Sequence, residues 1–242
     1  MSIKKQAQRF AQQNLAYFTG YMVEVATPNG EKPKKDFSPF PIKYQDIKAG
    51  DWKTNHIMSN HNTIVLTTGT KNQNLLLIDW DFKEWRKGEG NTQGSFEYNT
   101  SVLEAYNDML EKLGGEVNTY TETTGNGGKH WIFKYDPVKL GYVIAQQQGF
   151  LYKGIKCGDI KGENGLIYTA PSRYRDINGE EKEYKVENDF AIAMAPDLLF
   201  ELIKFTKYEK PEDRVIKVQT SKKVVIWLVK WLVIAGFLRV GR

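Results

Sequence analysis

Cysteine is nearly absent from this 242-residue chain: Cys157 stands alone. No disulfide can form within the chain, and no cysteine-rich zinc site can be built. A structural zinc is therefore not expected, and a reducing, intracellular setting is. Histidine is scarce as well, at three residues, too few for a histidine-based metal cage. The N-terminus, MSIKKQAQRFAQQNL, is polar and basic and lacks the apolar core of a secretion signal. Long apolar runs are missing too. The longest, VVIWLVKWLVIAGFL (224–238), has fifteen residues and is broken by Lys230, short of the ~20 that a membrane span needs. It reads as a packed or partner-binding helix, or as an interfacial one, and a membrane partner is not expected. There is no internal repeat, no low-complexity tract and no G-x-x-x-x-G-K-[ST] loop, which excludes a P-loop helicase within this chain.

What is present is ordinary for a globular protein with a sizeable core: 40% apolar and 26% charged residues. Lys and Arg outnumber Asp and Glu by 34 to 29, a net +5. The excess is uneven. Residues 201–242 hold ten basic against four acidic residues, so the rest is close to neutral. A mild positive charge suits a polyanionic partner without requiring one. The change from charged (KPEDRVIKVQTSKK) to apolar sequence after about residue 210 suggests two parts: a domain over 1–210 and a helical appendage over 211–242.

Periodicity and turn residues outline the elements. Residues 5–18 predict an opening helix. TPNGEKPKKDFSPFPIKY, rich in Pro and Lys, predicts an irregular surface loop. NTIVLTTGT (62–70) and NLLLIDWDF predict two neighbouring strands, and the polar, Gly-rich residues 83–97 predict a loop. NTSVLEAYNDMLEKLGG predicts a helix capped by Thr100 or Ser101. Its apolar stripe would be Val102, Leu103, Tyr106, Met109, Leu110 and Leu113, and Gly114-Gly115 would end it. Three hairpins are expected next. The first joins 117–125 to 129–135, the second 155–161 to 166–170, and the third turns at Asn178-Gly179. APDLLFELIKF predicts a last helix with Pro196 in its first turn. This order predicts an α+β fold with a largely antiparallel sheet flanked by helices.

Three segments carry candidate chemistry. In LLLIDWDF, Asp79 and Asp81 stand at i and i+2 on a strand and project from one face. Two carboxylates held so close repel unless a cation sits between them, and hard oxygen ligands suit Mg²⁺ or Mn²⁺. The plainer reading is a strand running out into solvent. In TTGNGGKHWIFKY, glycines that include Gly127 and Gly128 expose backbone N–H groups beside His130. Such a turn can hold a phosphate, or it can be a simple hairpin. In CGDIKGENG, Asp159 precedes a glycine turn; alone it is a strand-edge acid. The basic loop containing Lys32, Lys34, Lys35, Lys43 and Lys48 can track nucleic-acid phosphates or merely solubilise.

Taken together, LLLIDWD, TTGNGGKHWIF and GDIKGENGLIYTAPS, with TIVLTTGT before them, resemble the catalytic core of the archaeo-eukaryotic primase superfamily, in particular its primase-polymerase branch. An acid-x-acid motif closes an apolar strand there. A Gly-rich turn then leads into a strand beginning with His, and a third acid lies in a D-I-x-G-x-x-G stretch. The resemblance covers about residues 10 to 205. Ala170 stands where that family commonly has a first Pro, and Trp80 is bulkier than its usual intervening residue.

The resemblance implies a catalytic core related to the RNA-recognition fold beside a smaller N-terminal α/β part. It implies Asp79, Asp81 and Asp159 as ligands of two divalent cations, Mg²⁺ or Mn²⁺. Gly127, Gly128 and His130 would hold the triphosphate of an NTP or dNTP, with Lys161 and Ser172 as further nucleotide contacts. The partner implied is a single-stranded DNA template, contacted by Lys34, Lys35 and Lys43, with a helicase in the same parent protein or in trans. The implied activity is primase or polymerase nucleotidyl transfer in DNA replication. A metal-dependent nuclease and a catalytically inert DNA-binding initiator are the alternatives.

Overall fold

The strand Leu75–Trp80 explains the layering, because it has no solvent face. Leu76, Ile78 and Trp80 point into one apolar cluster, with Val102, Ala105, Met109, Trp131 and Phe150. Leu75 and Leu77 point into another, with Phe10, Tyr17, Ile64, Leu66 and Ile167. Its near-continuous apolar sequence is that of a strand buried on both sides. These facts come from a computed structural model that describes residues 1–27, 33–39, 60–82 and 96–209. The chain divides into two compact units, Met1–Lys207 and Tyr208–Arg242, and the described helices and strands all belong to the first. Most of the loop expected over 83–97, the apolar run 224–238, and Lys32, Lys43 and Lys48 lie outside the described residues.

The elements run α1 (Ile3–Gln12), β1 (Tyr17–Val25), β2 (Lys34–Pro39), β3 (Thr63–Thr67), a 3-10 turn (Thr70–Asn72) and β4 (Leu75–Trp80). There follow α2 (Phe96–Lys112), β5 (Tyr120–Thr123), β6 (Lys129–Lys134) and α3 (Pro137–Leu140). The rest are β7 (Gln147–Tyr152), β8 (Ile155–Lys161), β9 (Leu166–Thr169), β10 (Arg173–Arg175), β11 (Glu181–Glu183), β12 (Lys185–Asn188) and α4 (Asp197–Leu202). Three sheets form, with orders β12-β5-β6-β4-β8-β7, β2-β1-β3-β9 and β10-β11. Every adjacent pair of strands within them is antiparallel. The fold is α+β and mostly antiparallel, as expected. Helix α2 covers the Trp80 face of the six-stranded sheet, where the Trp80 ring lies 5.2 Å from those of Tyr106, Trp131 and Phe150.

Several local expectations need correction. Helix α1 stops at Gln12, not residue 18, because Asn14 takes a left-handed conformation (φ 53°) and turns the chain into β1. The Pro- and Lys-rich loop contains β2, whose Phe37 is anchored on Phe18 and Tyr168. β3 and β4 are not neighbours in one sheet. They belong to different sheets that share a core, because both are apolar on both faces and the Asn72 side chain, bonded to Ala16 and Thr67, fixes the step between them. The expected hairpin of β8 and β9 does not form. Glu163 accepts hydrogen bonds from Thr70 as the chain crosses over, and β9 pairs with β3. The actual hairpin partner of β8 is β7, whose polar sequence and bulge at Gly149 hide it from a reading of periodicity. Helix α2 begins about a turn early, so Thr100 and Ser101 lie inside it; Leu103 is exposed and Ala105 joins the buried stripe. Pro196 is the N-cap of α4, not in its first turn. The β5–β6 and β10–β11 hairpins form where their turn residues placed them.

Candidate active site

Side chains directly opposite one another on antiparallel strands project from the same face. Asp79 on β4 is opposite His130 on β6 and Asp159 on β8. His130 is in turn opposite Glu122 on β5. Three residues from three separate sequence segments, and a fourth that none of those segments contains, therefore form one row across the sheet: Glu122, His130, Asp79, Asp159. The row lies on the Leu75–Leu77 face, away from α2.

The imidazole is held between two acids. Its Nδ1 lies 3.3 Å from Glu122 Oε2, and its Nε2 lies 3.6 Å from Asp79 Oδ1. Glu122 is fully buried, and a buried carboxylate must be paired or bonded. It also accepts from the Thr169 hydroxyl and, at 2.8 Å, from the Ala170 N–H. Those donors belong to the chain at the end of β9, so Glu122 ties the two large sheets together beside the histidine. A carboxylate only accepts hydrogen bonds, so Nδ1 is the donor, and Nε2 is left for the Asp79 side. At the other end of the row, Asp159 Oδ1 accepts from the Gly149 N–H at 3.0 Å, and Oδ2 pairs with Lys161 Nζ at 2.8 Å.

A cavity of about 490 Å³ opens on this row, lined by Asp79, His130, Lys161, Lys35, Tyr168 and Tyr184 among others. Tyr184 lies beside the imidazole, with ring centroids 5.8 Å apart. Its phenol is raised well above the usual tyrosine range, first by burial and then by the charge of Asp79. The hydroxyl thus stays neutral, and it accepts from Lys35 Nζ at 2.6 Å.

The remaining expected residues fall in different places. Asp81 lies just past β4, half-buried, and its N–H donates to the Cys157 carbonyl at 3.0 Å, continuing the β4–β8 ladder. Gly127 and Gly128 form the β5–β6 turn, where Gly127 N–H is bonded to Thr124 O. A Cβ on Gly128 would sit 2.5 Å from the Trp80 carbonyl, so glycine lets the turn lie against the end of β4. Neither glycine lines the cavity. Ser172 is fully buried, and its hydroxyl bonds both the N–H and the carbonyl of Ile64. The structure does not bring it to the cavity. Lys34 is exposed on β2, and Lys43 lies outside the described residues.

Gly158, next to Asp159 in CGDIKGENG, is a further residue the site depends on: a Cβ there would lie 1.8 Å from the Asp79 carbonyl. Only glycine lets β8 reach β4 at that point and set Asp159 beside Asp79. The hairpin carries a signal for Glu122, since Glu122 and His130 are equidistant from Asn126. Tyr184 and the inward turn of Lys35 have no local signal.

The donor chemistry fits a hard divalent cation. Asp79 and Asp159 are like charges on opposed strand positions, a costly arrangement that a cation relieves. Among the described residues, however, no set of three His, Cys, Asp or Glu side chains is placed to hold a metal ion. Lys161 already neutralises part of Asp159.

The family model for the bifunctional DNA primase/polymerase, N-terminal, matches residues 15–198. No curated protein matches the chain.

Proposed function

The chain belongs to the bifunctional DNA primase/polymerase family, and from that premise we propose that it catalyses template-directed nucleotidyl transfer in DNA replication. The observation that carries this reading is the row Asp79, His130 and Asp159, of which Asp79 and His130 line a cavity together with Lys35 and Lys161. In-line attack of a 3′-hydroxyl on an α-phosphate needs little from a protein beyond positioning and charge stabilisation.

Asp79, Asp81 and Asp159 would hold the divalent cations, Mg²⁺ or Mn²⁺, which would supply the Lewis acidity for attack and for departure of pyrophosphate. The rest of the work falls to neighbouring side chains. Glu122 fixes the imidazole at Nδ1, so Nε2 is the edge turned to Asp79 and the cavity, and it donates to a phosphate oxygen when the ring carries both protons. Lys161 balances Asp159 and adds positive charge where a triphosphate would lie. The glycines of the β5–β6 turn give the approach to β4 that sets His130 opposite Asp79. Exposed Lys34 is available to template phosphates. An RNA-recognition-type core is supported by the strand order β8-β4-β6-β5 with α2 between β4 and β5, the β-α-β-β pattern of a split βαβ sheet. We assign residues 1–210 to this catalytic domain and 211–242 to an appendage.

The test is incubation with single-stranded template, labelled nucleotides and Mg²⁺ or Mn²⁺, with and without a primer. Template-dependent incorporation is expected. Cleavage of the template without incorporation would replace this reading by a nuclease, and DNA binding without turnover by an inert initiator.

A further inference from the structure

Lys34 and Lys35 are adjacent on β2, yet they face opposite environments. Phe37 packs against Phe18 at 5.3 Å and Tyr168 at 5.8 Å between ring centroids. Residues two apart on a strand share a face, so Lys35 is carried inward with Phe37 while Lys34 points to solvent. The Lys35 ammonium lies 4.7 Å from the centroid of Tyr174, 5.1 Å from Tyr184 and 5.7 Å from Tyr168. It also donates to the Tyr184 hydroxyl. Three ring faces and a hydrogen bond hold a side chain that would otherwise sample many rotamers.

The cage holds the charge without cancelling it. Burial raises all three phenols, Tyr174 to about 12, against the opposing pull of Lys35 on Tyr168 and Tyr174. The rings are therefore neutral at ordinary pH. Among the described residues no ion pair to this ammonium forms; Glu24 stands opposite Lys35 on β1, where its carboxylate accepts from the Ile177 N–H and its charge acts on Tyr174 and Tyr184. Lys161, by contrast, is already paired with Asp159. Of the two lysines that line the cavity, Lys35 is the one with charge to offer an incoming anion.

We infer that Lys35 is a nucleotide-binding residue of this cavity, a preset cation for the polyphosphate of the incoming nucleotide, and not a template contact. The inference rests on the reading of the cavity as a nucleotide site. It makes the four-stranded sheet a contributor to the site: the polyphosphate would lie between Lys35 on one sheet and His130 with Lys161 on the other.

The test is calorimetric titration of the wild type, Lys35→Met, Lys35→Arg and Lys34→Met with a non-hydrolysable nucleoside triphosphate, the matching nucleoside, and a single-stranded oligonucleotide. Lys35→Met keeps the apolar stem, and its melting temperature checks the fold. It is expected to weaken triphosphate affinity roughly 10- to 150-fold, the range of a charge-assisted hydrogen bond. Nucleoside and oligonucleotide affinities should hold, and Lys35→Arg should recover most of the triphosphate loss. Lys34→Met should lower only oligonucleotide affinity. Wild-type triphosphate affinity that survives Lys35→Met overturns the inference, as does a loss confined to the oligonucleotide. A wild type that binds no triphosphate overturns the reading of the cavity itself.

Discussion

The two large sheets share one core but play unequal parts at the site. The six-stranded sheet carries the row Glu122, His130, Asp79 and Asp159 on four adjacent strands. The four-stranded sheet carries none of these. It supplies a wall: Leu166, Ile167 and Tyr168 from β9, and Lys35 from β2. One sheet sets reacting groups in register, and the other closes the cavity and adds charge. The contrast shows how precision is divided. Register between hydrogen-bonded strands fixes neighbouring side chains closely, whereas sheet-on-sheet packing fixes the width of a cleft.

The largest expected effect attacks the row itself. Replacing both Asp79 and Asp81 by alanine should reduce nucleotide incorporation to background while circular dichroism stays that of the wild type. Like charges at such a position add little to the fold. Incorporation at the wild-type rate would remove the acids from the reaction. Glu122→Ala comes next, as a test of whether the row and the wall are joined there. It leaves the His130, Thr169 and Ala170 donors without their shared acceptor. A stability loss of about 3–5 kcal/mol is expected in urea denaturation. Glu24→Ala, at a half-buried position of β1 where the carboxylate accepts from the Ile177 N–H at 3.4 Å, should cost under ~1 kcal/mol by the same measurement.

His130→Ala should act on binding more than on folding. Loss of one charge-assisted hydrogen bond predicts roughly 10- to 150-fold weaker triphosphate binding, with oligonucleotide affinity unchanged. Equal losses for both ligands would mean that the histidine serves the fold and not the nucleotide. The smallest effect is expected for deletion of residues 211–242, since both sheets and the whole row lie before it. Primer extension should stay close to that of the full chain. An unfolded product by circular dichroism would place that segment in the core.

The candidate site was legible in the sequence, and its surroundings much less so. Asp79, His130 and Asp159 stand out because each follows from local rules: an apolar strand ending in acids, a glycine turn before a histidine, an acid before a second glycine turn. Period-two alternation and Asn-Gly or Gly-Gly turns are local signals, and they placed the β5–β6 and β10–β11 hairpins correctly. Only the tertiary structure decided that β3 and β4 enter different sheets and that β9 leaves β8 to pair with β3. Those choices depend on which distant strand offers the better ladder and apolar face, and no window of sequence contains both partners. The same holds for the partners of Glu122: the hairpin sets it opposite His130, but Thr169 and Ala170, which bond it, lie outside any such window. It holds most of all for Lys35. By sequence it is one of several lysines in a proline-rich stretch, and its place comes from Tyr168, Tyr174 and Tyr184, more than 130 residues away. The sequence by itself determined which groups can do chemistry; packing between sheets decided which of its cations faces them.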